Sequence, residues 1–299
     1  MLSIEQGVDL QADAAVHKSE LFRTPGLFLV RTMLAGAYIG IGVLIMVTAG
    51  GPLTQAGSPW APLVQGLVFG VALTIVVVAG AELATSAMMI LTQGVWRRRV
   101  APGRAALILL AVLVGNLLGS MLFAALVHAS GVLAPGTPAG ATLAGMIEHK
   151  AATGDGQLFV RGVLCNLLVC LAIWCAGRLE SEGAKIAVVF ACVMVFITSG
   201  FEHVVANMTT FSLGLFAGLP HATVGELARN VLFVGLGNVV GGALLVGTPY
   251  AYGAGNRGHG HGALQRQAAD DEPVALRQQA ADDEPGALVG AGAGRDTGL

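Results

Sequence analysis

A chain of 299 residues that is 55% hydrophobic, only 11% charged and net −2, with mean hydropathy +0.73, is not an ordinary soluble domain, in which about a quarter of residues are charged. No basic, aromatic-bearing stretch suits a nucleic acid, and the sequence has no zincin, Walker, nucleophile-elbow or Cys-x-x-Cys signature. We therefore expect neither an enzyme nor a cofactor or metal site. Cys165, Cys170, Cys175 and Cys192 all fall in apolar stretches and read as packing residues.

In chain order, residues 1–26 form an arm without the apolar core and cleavage site of a signal peptide. A membrane-spanning helix needs about 20 apolar residues. Six stretches qualify: 27–50, 59–96, 104–129, 157–177, 184–218 and 226–252. The second and fifth are too long for one straight span. Each carries a polar interruption and reads as two half-helices joined by non-helical backbone, which is tolerated at membrane depth only where protein or a cavity satisfies it. Lys18, Arg23, Arg31, Arg97, Arg98, Arg99, Arg104, Arg178 and Lys185 cluster on one side, against Lys150, Arg161 and Arg229 on the other. The positive-inside rule then makes both termini cytoplasmic, in a multi-pass protein of a bacterial inner membrane.

Beyond 252 the composition changes. Gln267-Ala268-Ala269-Asp270-Asp271-Glu272-Pro273 recurs as Gln279-Ala280-Ala281-Asp282-Asp283-Glu284-Pro285. Such a segment buries too little apolar surface to offset chain entropy, so 253–299 is expected to be a disordered cytoplasmic tail. The histidines at 259 and 261 fix too little geometry for a metal site.

The interruptions repeat. Gly80-Ala81-Glu82-Leu83-Ala84-Thr85-Ser86-Ala87-Met88 is echoed by Gly200-Phe201-Glu202-His203-Val204-Val205-Ala206-Asn207-Met208, with glycine, glutamate and methionine each 120 positions on. Gly115-Asn116-Leu117-Leu118-Gly119 matches Gly237-Asn238-Val239-Val240-Gly241 at an offset of 122. Spans one to three (about 27–129) thus repeat as four to six (about 157–252). An odd number of spans per repeat makes the halves run in opposite directions, an all-α inverted-repeat transporter with its site near the midplane.

Within that frame His203 is the leading functional candidate. An imidazole titrates near pH 6.5 and can offer an anion a proton or a hydrogen bond. The alternative is a histidine that merely ties helices together; its place beside Glu202 in a broken span favours function. Glu82 and Glu202 would repel an anion and read as structural, holding loop N–H groups or pairing with a cation near the cytoplasmic mouth. Thr85 offers a hydroxyl across the path to His203, although a membrane threonine often bonds its own helix. Asn116 reads as helix glue in a small-polar-small segment. Lys150, placed in the outer loop before the fourth span, would focus anions toward an entrance.

These residues resemble the formate/nitrite transporter family over about 27–252. The supporting strings are Ala35-Gly36-Ala37-Tyr38-Ile39-Gly40, the run Cys165-Asn166-Leu167-Leu168-Val169-Cys170, the Gly200–Met208 stretch and Gly237-Asn238-Val239-Val240-Gly241-Gly242. The resemblance implies an aquaporin-like protomer in a homopentamer, each with its own pore for small monovalent anions. It further implies His203 facing Thr85 and Asn238, a vestibule lysine at Lys150 and a pore-side asparagine at Asn166. Constrictions fall at Leu73, Leu83 and Phe196 on the cytoplasmic side and at Phe69 and Val169 on the other, with Asn207 structural beside the pore. Ala84 departs from relatives that carry a bulky aromatic there. The Ala35–Gly40 and Asn207-Met208-Thr209 strings look more like the nitrite branch. Nitrite is thus the expected substrate, with formate or hydrosulfide as the alternative and protons as possible co-substrates. An aquaporin-type neutral-solute channel fits less well, since no Asn-Pro-Ala pair is present.

Overall fold

The computed structural model describes residues 1–255. The tail expected over 253–299 lies outside them, except for its first three residues. All regular structure among the described residues is helical: α1 (Ile4–Leu21), α2 (Pro25–Gln55), α3 (Ala61–Val78), α4 (Ala84–Trp96), α5 (Pro102–Ser130), α6 (Pro138–Ala152), α7 (Asp155–Arg178), α8 (Glu182–Thr198), α9 (Val204–Phe216) and α10 (Val224–Val239). The last runs on through a π-helical stretch, Val240–Gly247. Five helices are long and apolar enough to cross a membrane: α2, α3, α5, α7 and Val224–Gly255. The stretch expected as a fifth, interrupted span holds two helices, α8 of 17 residues and α9 of 13.

Helices α3 and α4 are separated by residues 79–83, and α8 and α9 by 199–203. The two connections are built alike. Gly80 and Gly200 turn the chain with φ of +69° and +70°, values at which any side chain would be strained. Past the turn the chain doubles back: Ala81 N donates to Val76 O and Phe201 N to Phe196 O, both at 3.0 Å. Glu82 N then donates to Arg31 O at 3.1 Å, and Glu202 N to Arg161 O at 3.2 Å.

One asparagine completes each connection. The Asn116 amide donates to Thr32 O and Glu82 O at 2.8 and 2.9 Å while its Oδ1 accepts from Ala84 N at 2.9 Å. Asn238 does the same for Gly162 O, Glu202 O and Val204 N, at 2.8, 3.0 and 2.9 Å. Both asparagines have no solvent exposure. Backbone N–H groups left open at the starts of α4 and α9 would each cost several kcal/mol in an apolar interior; these side chains reduce that cost. Their neighbouring glycines let the helices close in. A Cβ on Gly119 would lie 1.9 Å from Met33 O, and one on Gly241 would lie 2.2 Å from Val163 O.

Two helices were not anticipated. In α1 the Ser3–Gln6 capping box starts the helix, and Val8, Ala12 and Ala15 form its buried stripe. In α6 Thr137 caps Gly140 N, Pro138 sits in the first turn, and Ala139, Leu143 and Ile147 are buried at four-residue spacing. Neither registers as a span, α1 being too polar and α6, of 15 residues, too short, though their caps are ordinary helix-start signals. Lys150 therefore stands on α6, not in a loop, and Lys18 stands on α1.

Candidate functional site

The two connections bring their polar residues together at the centre of the helix packing. His203 is the N-cap of α9, and its Nδ1 accepts from Ala206 N at 3.2 Å. With Nδ1 an acceptor, the neutral ring carries its hydrogen on Nε2. Nε2 lies 3.0 Å from Thr85 Oγ1 in the first turn of α4, so the imidazole donates and the hydroxyl accepts. Charging the ring would set an N–H on Nδ1 against the Ala206 N–H and break the cap. Thr85 is fully buried and His203 is 3% exposed.

Two of the expected constriction residues pack toward this pair. Phe196 stacks on the His203 ring at 6.0 Å between centroids, and Phe69 meets Phe196 edge-on at 6.1 Å. Leu73, Leu83 and Val169 are also buried. The donor is thus presented in an apolar setting, where a hydrogen bond is stronger than in water and an unmatched polar group is costlier.

Asn166 and Asn238 lie next to the pair with their amide hydrogens engaged. The Asn166 amide donates to Asn238 O at 2.7 Å and Thr85 O at 3.1 Å. It thereby holds the carbonyl at the approach to the π-helical stretch, where the regular ladder changes register, and ties α10 to the turn carrying Thr85. The Asn238 amide is committed to Gly162 O and Glu202 O, as described above. Both asparagines shape the surroundings of His203 through main-chain groups.

Neither glutamate holds loop N–H groups with its carboxylate. Glu82 pairs with Lys18, and Glu202 with Lys150 at 2.5 Å. The two pairs sit on different helices in corresponding places, Lys18 on α1 and Lys150 on α6. Glu202 Oε2 also accepts from Asn207 Nδ2 at 2.6 Å, and Asn207 donates again to Asn230 Oδ1 at 2.8 Å. The sequence reading missed Lys18 and Asn230. A signal for Lys18 existed: His17-Lys18 precedes His149-Lys150 by 132 residues, so the repeat reaches into the arm.

A cavity of about 900 Å³ opens over this region and is lined by Phe69, His149, Lys150, Arg161, Glu202 and His203 among others. Two cations, Lys150 and Arg161, thus share one cavity with the histidine.

An all-helical integral membrane protein with a buried hydrogen-bond donor below a cationic vestibule is the class that fold and site define. The profile of the family described as Formate/nitrite transporter matches residues 5–252, and the chain belongs to that family. It is 39% identical over 227 residues to the nitrite transporter NirC of Escherichia coli (strain K12), covering 75% of this chain and 82% of NirC. Among solved structures, an FNT family ion channel superposes with a TM-score of 0.78 at 38% identity, covering 83% of this chain and 98% of the channel. A pentameric formate channel with formate bound gives 0.66 at 27% identity, covering 76% and 96%.

Proposed function

We propose that this chain carries a small monovalent anion, nitrite foremost, across the membrane through a route that passes His203. The observation that carries the reading is the Nε2–H of His203 held toward Thr85 Oγ1 at 3.0 Å beneath the vestibule. A neutral donor there replaces part of an anion's hydration without trapping it in a permanent ion pair. Thr85 accepts the hydrogen when no anion is present, so the donor is never left unmatched. Phe69, Leu73, Leu83, Val169 and Phe196 supply the dry walls; Asn166, Asn238, Glu82, Glu202 and Asn207 hold them in shape. Lys150 raises the local anion concentration, tempered by its carboxylate partner.

The same reading takes the membrane domain as residues 27–252 with six spans, α3 with α4 and α8 with α9 each serving as one broken span. The matched asparagine cradles support an inverted repeat of three plus three. The positive charges at Arg97–Arg99, Arg104 and Arg178 support cytoplasmic termini. Exposed Leu110, Leu122 and Leu126 on α5 suit lipid or a neighbouring protomer, and a homopentamer follows the assembly of the solved formate channel. Formate is the second reading, favoured by that relative and by the likeness of the two anions, since selectivity needs differential contacts.

The test is flux of nitrite, formate and glycerol into liposomes holding the purified full chain. Saturable nitrite and formate flux without glycerol flux is expected. Glycerol flux without anion flux would replace the anion route with a neutral-solute channel.

A further inference from the structure

Two side-chain cations line the cavity, Lys150 and Arg161, and the first is neutralised. Lys150 is paired with Glu202 at 2.5 Å. Arg161 has no carboxylate within 4.0 Å among the described residues. Its side-chain partner is His149, whose Nε2 lies 3.1 Å from Nη1. A guanidinium has no acceptor, so Nε2 must accept and His149 is neutral in this contact. The histidine therefore aims the arginine without cancelling its charge.

The backbone fixes the same residue from below. Arg161 O accepts from Glu202 N at 3.2 Å, and the residue after Glu202 is the His203 donor. The arginine is thus anchored on the second turn of α7, and both it and the His149 that holds its guanidinium line the cavity.

We propose that Arg161, oriented by His149, is an outer capture site for bent anions that carry two oxygens on one atom, and that it sets their preference over single-centre anions such as chloride. The chemistry is that of the fork. Two parallel N–H groups meet the two oxygens of a carboxylate-like anion, whereas a spherical anion gains only the charge. Lys150 presents a point charge already shared with Glu202, so it cannot supply this discrimination. The site rests on the anion-transport reading above and names what selects the anion before it reaches His203.

The experiment is competition at the outer face. Nitrite uptake into proteoliposomes is inhibited by external formate or by external chloride, in wild type, Arg161→Lys, Arg161→Gln and His149→Ala, with oligomer content matched by size exclusion. In wild type formate should inhibit at far lower concentration than chloride. Arg161→Lys and Arg161→Gln should each narrow that ratio by about threefold or more, the scale of one solvated charge contact, and His149→Ala should narrow it by less. A wild-type ratio in Arg161→Lys overturns the fork, leaving charge alone. A wild-type ratio in both arginine variants overturns the site. Should Arg161→Gln not assemble, Arg161→Lys and His149→Ala decide by the same ratio. Absence of nitrite uptake by the wild-type protein would instead defeat the transport reading itself.

Discussion

Thr85 and His203 stand 118 positions apart in the chain, yet the hydroxyl of one meets the imidazole of the other at 3.0 Å. Each belongs to the first turn or the cap of a helix that starts inside the packed interior. The contact exists because two separate interruptions of helical structure face one another.

His203→Asn tests what that contact does. Asn is a good N-cap, so its Oδ1 can take over the bond from Ala206 N and its amide can donate to Thr85. Nitrite flux should survive within about tenfold, the effect of a hydrogen bond altered by ~1.4 kcal/mol. Whatever dependence wild-type flux shows between about pH 5 and 8 should persist in the variant, because the ring's two contacts, Nδ1 accepting from Ala206 N and Nε2 donating to Thr85, use the imidazole as a hydrogen-bonding group and need no change of charge. A pH dependence that vanishes in His203→Asn would assign a proton relay to the ring instead. His203→Leu, lacking both bonds, should lose flux far more severely.

The Lys150–Glu202 pair should act first on stability. Side-chain exposures of 11% and 4% make it a buried pair, and removing one partner strands the other at a cost of about 3–5 kcal/mol. Lys150→Ala should lower thermal stability in detergent and Glu202→Gln should do likewise, while Lys150→Met with Glu202→Gln should recover much of the loss. Additive destabilisation in the double variant would mean the residues do not act as a pair. On flux, Lys150→Ala should cost more at low ionic strength than at high, because it leaves the Glu202 charge uncovered in the cavity lining, and repulsion of anions through solvent fades over about 10 Å at 0.1 M salt.

Asn116 and Asn238 should be equally intolerant of alanine. Each substitution orphans one N–H and the glutamate carbonyl of a buried connection, at about 1–3 kcal/mol for each unmatched group, and removes a further bond to a carbonyl of α2 or α7. Both variants should show reduced yield and a lower unfolding temperature. Full stability in Asn116→Ala alone would show that the two cradles are not energetic equivalents.

Gly80 and Gly119 separate two reasons for glycine. Nothing lies within 4 Å of a Cβ on Gly80, so Gly80→Ala meets only the strain of its positive φ, roughly 1–2 kcal/mol, and should assemble with a modest loss. Gly119→Ala would drive a methyl group into Met33 O and push α2 from α5; it should fail to yield an assembled protein. Equal behaviour of the two variants would contradict the close approach of these helices.

Much of this was legible in the amino-acid order because burial in lipid forces it into view. Apolar runs mark the spans, and a glutamate inside such a run has to be accounted for, which led directly to Gly80–Met88 and Gly200–Met208. The Asn116 and Asn238 pair was visible as a repeat, although what each amide holds was not, since main-chain partners leave no trace in side-chain identity. The short helices escaped for the opposite reason. Their polar faces resemble loop composition, so Lys150 read as a loop cation and Lys18 as part of an arm. Ion pairs between residues 52 and 64 positions apart, Lys150–Glu202 and Lys18–Glu82, need the fold before they can be recognised. The π-helical stretch also lacked a signal, beyond the two-residue change of offset that precedes it.

The twin cradles have a consequence for how the chain is divided. The main-chain and asparagine bonds that shape residues 79–83 come from Arg31, Thr32, Val76 and Asn116; those that shape 199–203 come from Arg161, Gly162, Phe196 and Asn238. Their lysine partners obey the same partition. Severing the chain between α5 and α6 would remove none of these bonds, so each fragment would keep the means to form its own re-entrant turn. The Thr85–His203 contact, like the Asn166 bond to Thr85 O, would then have no single owner. Passage of an anion becomes the property that neither fragment possesses until the two are docked.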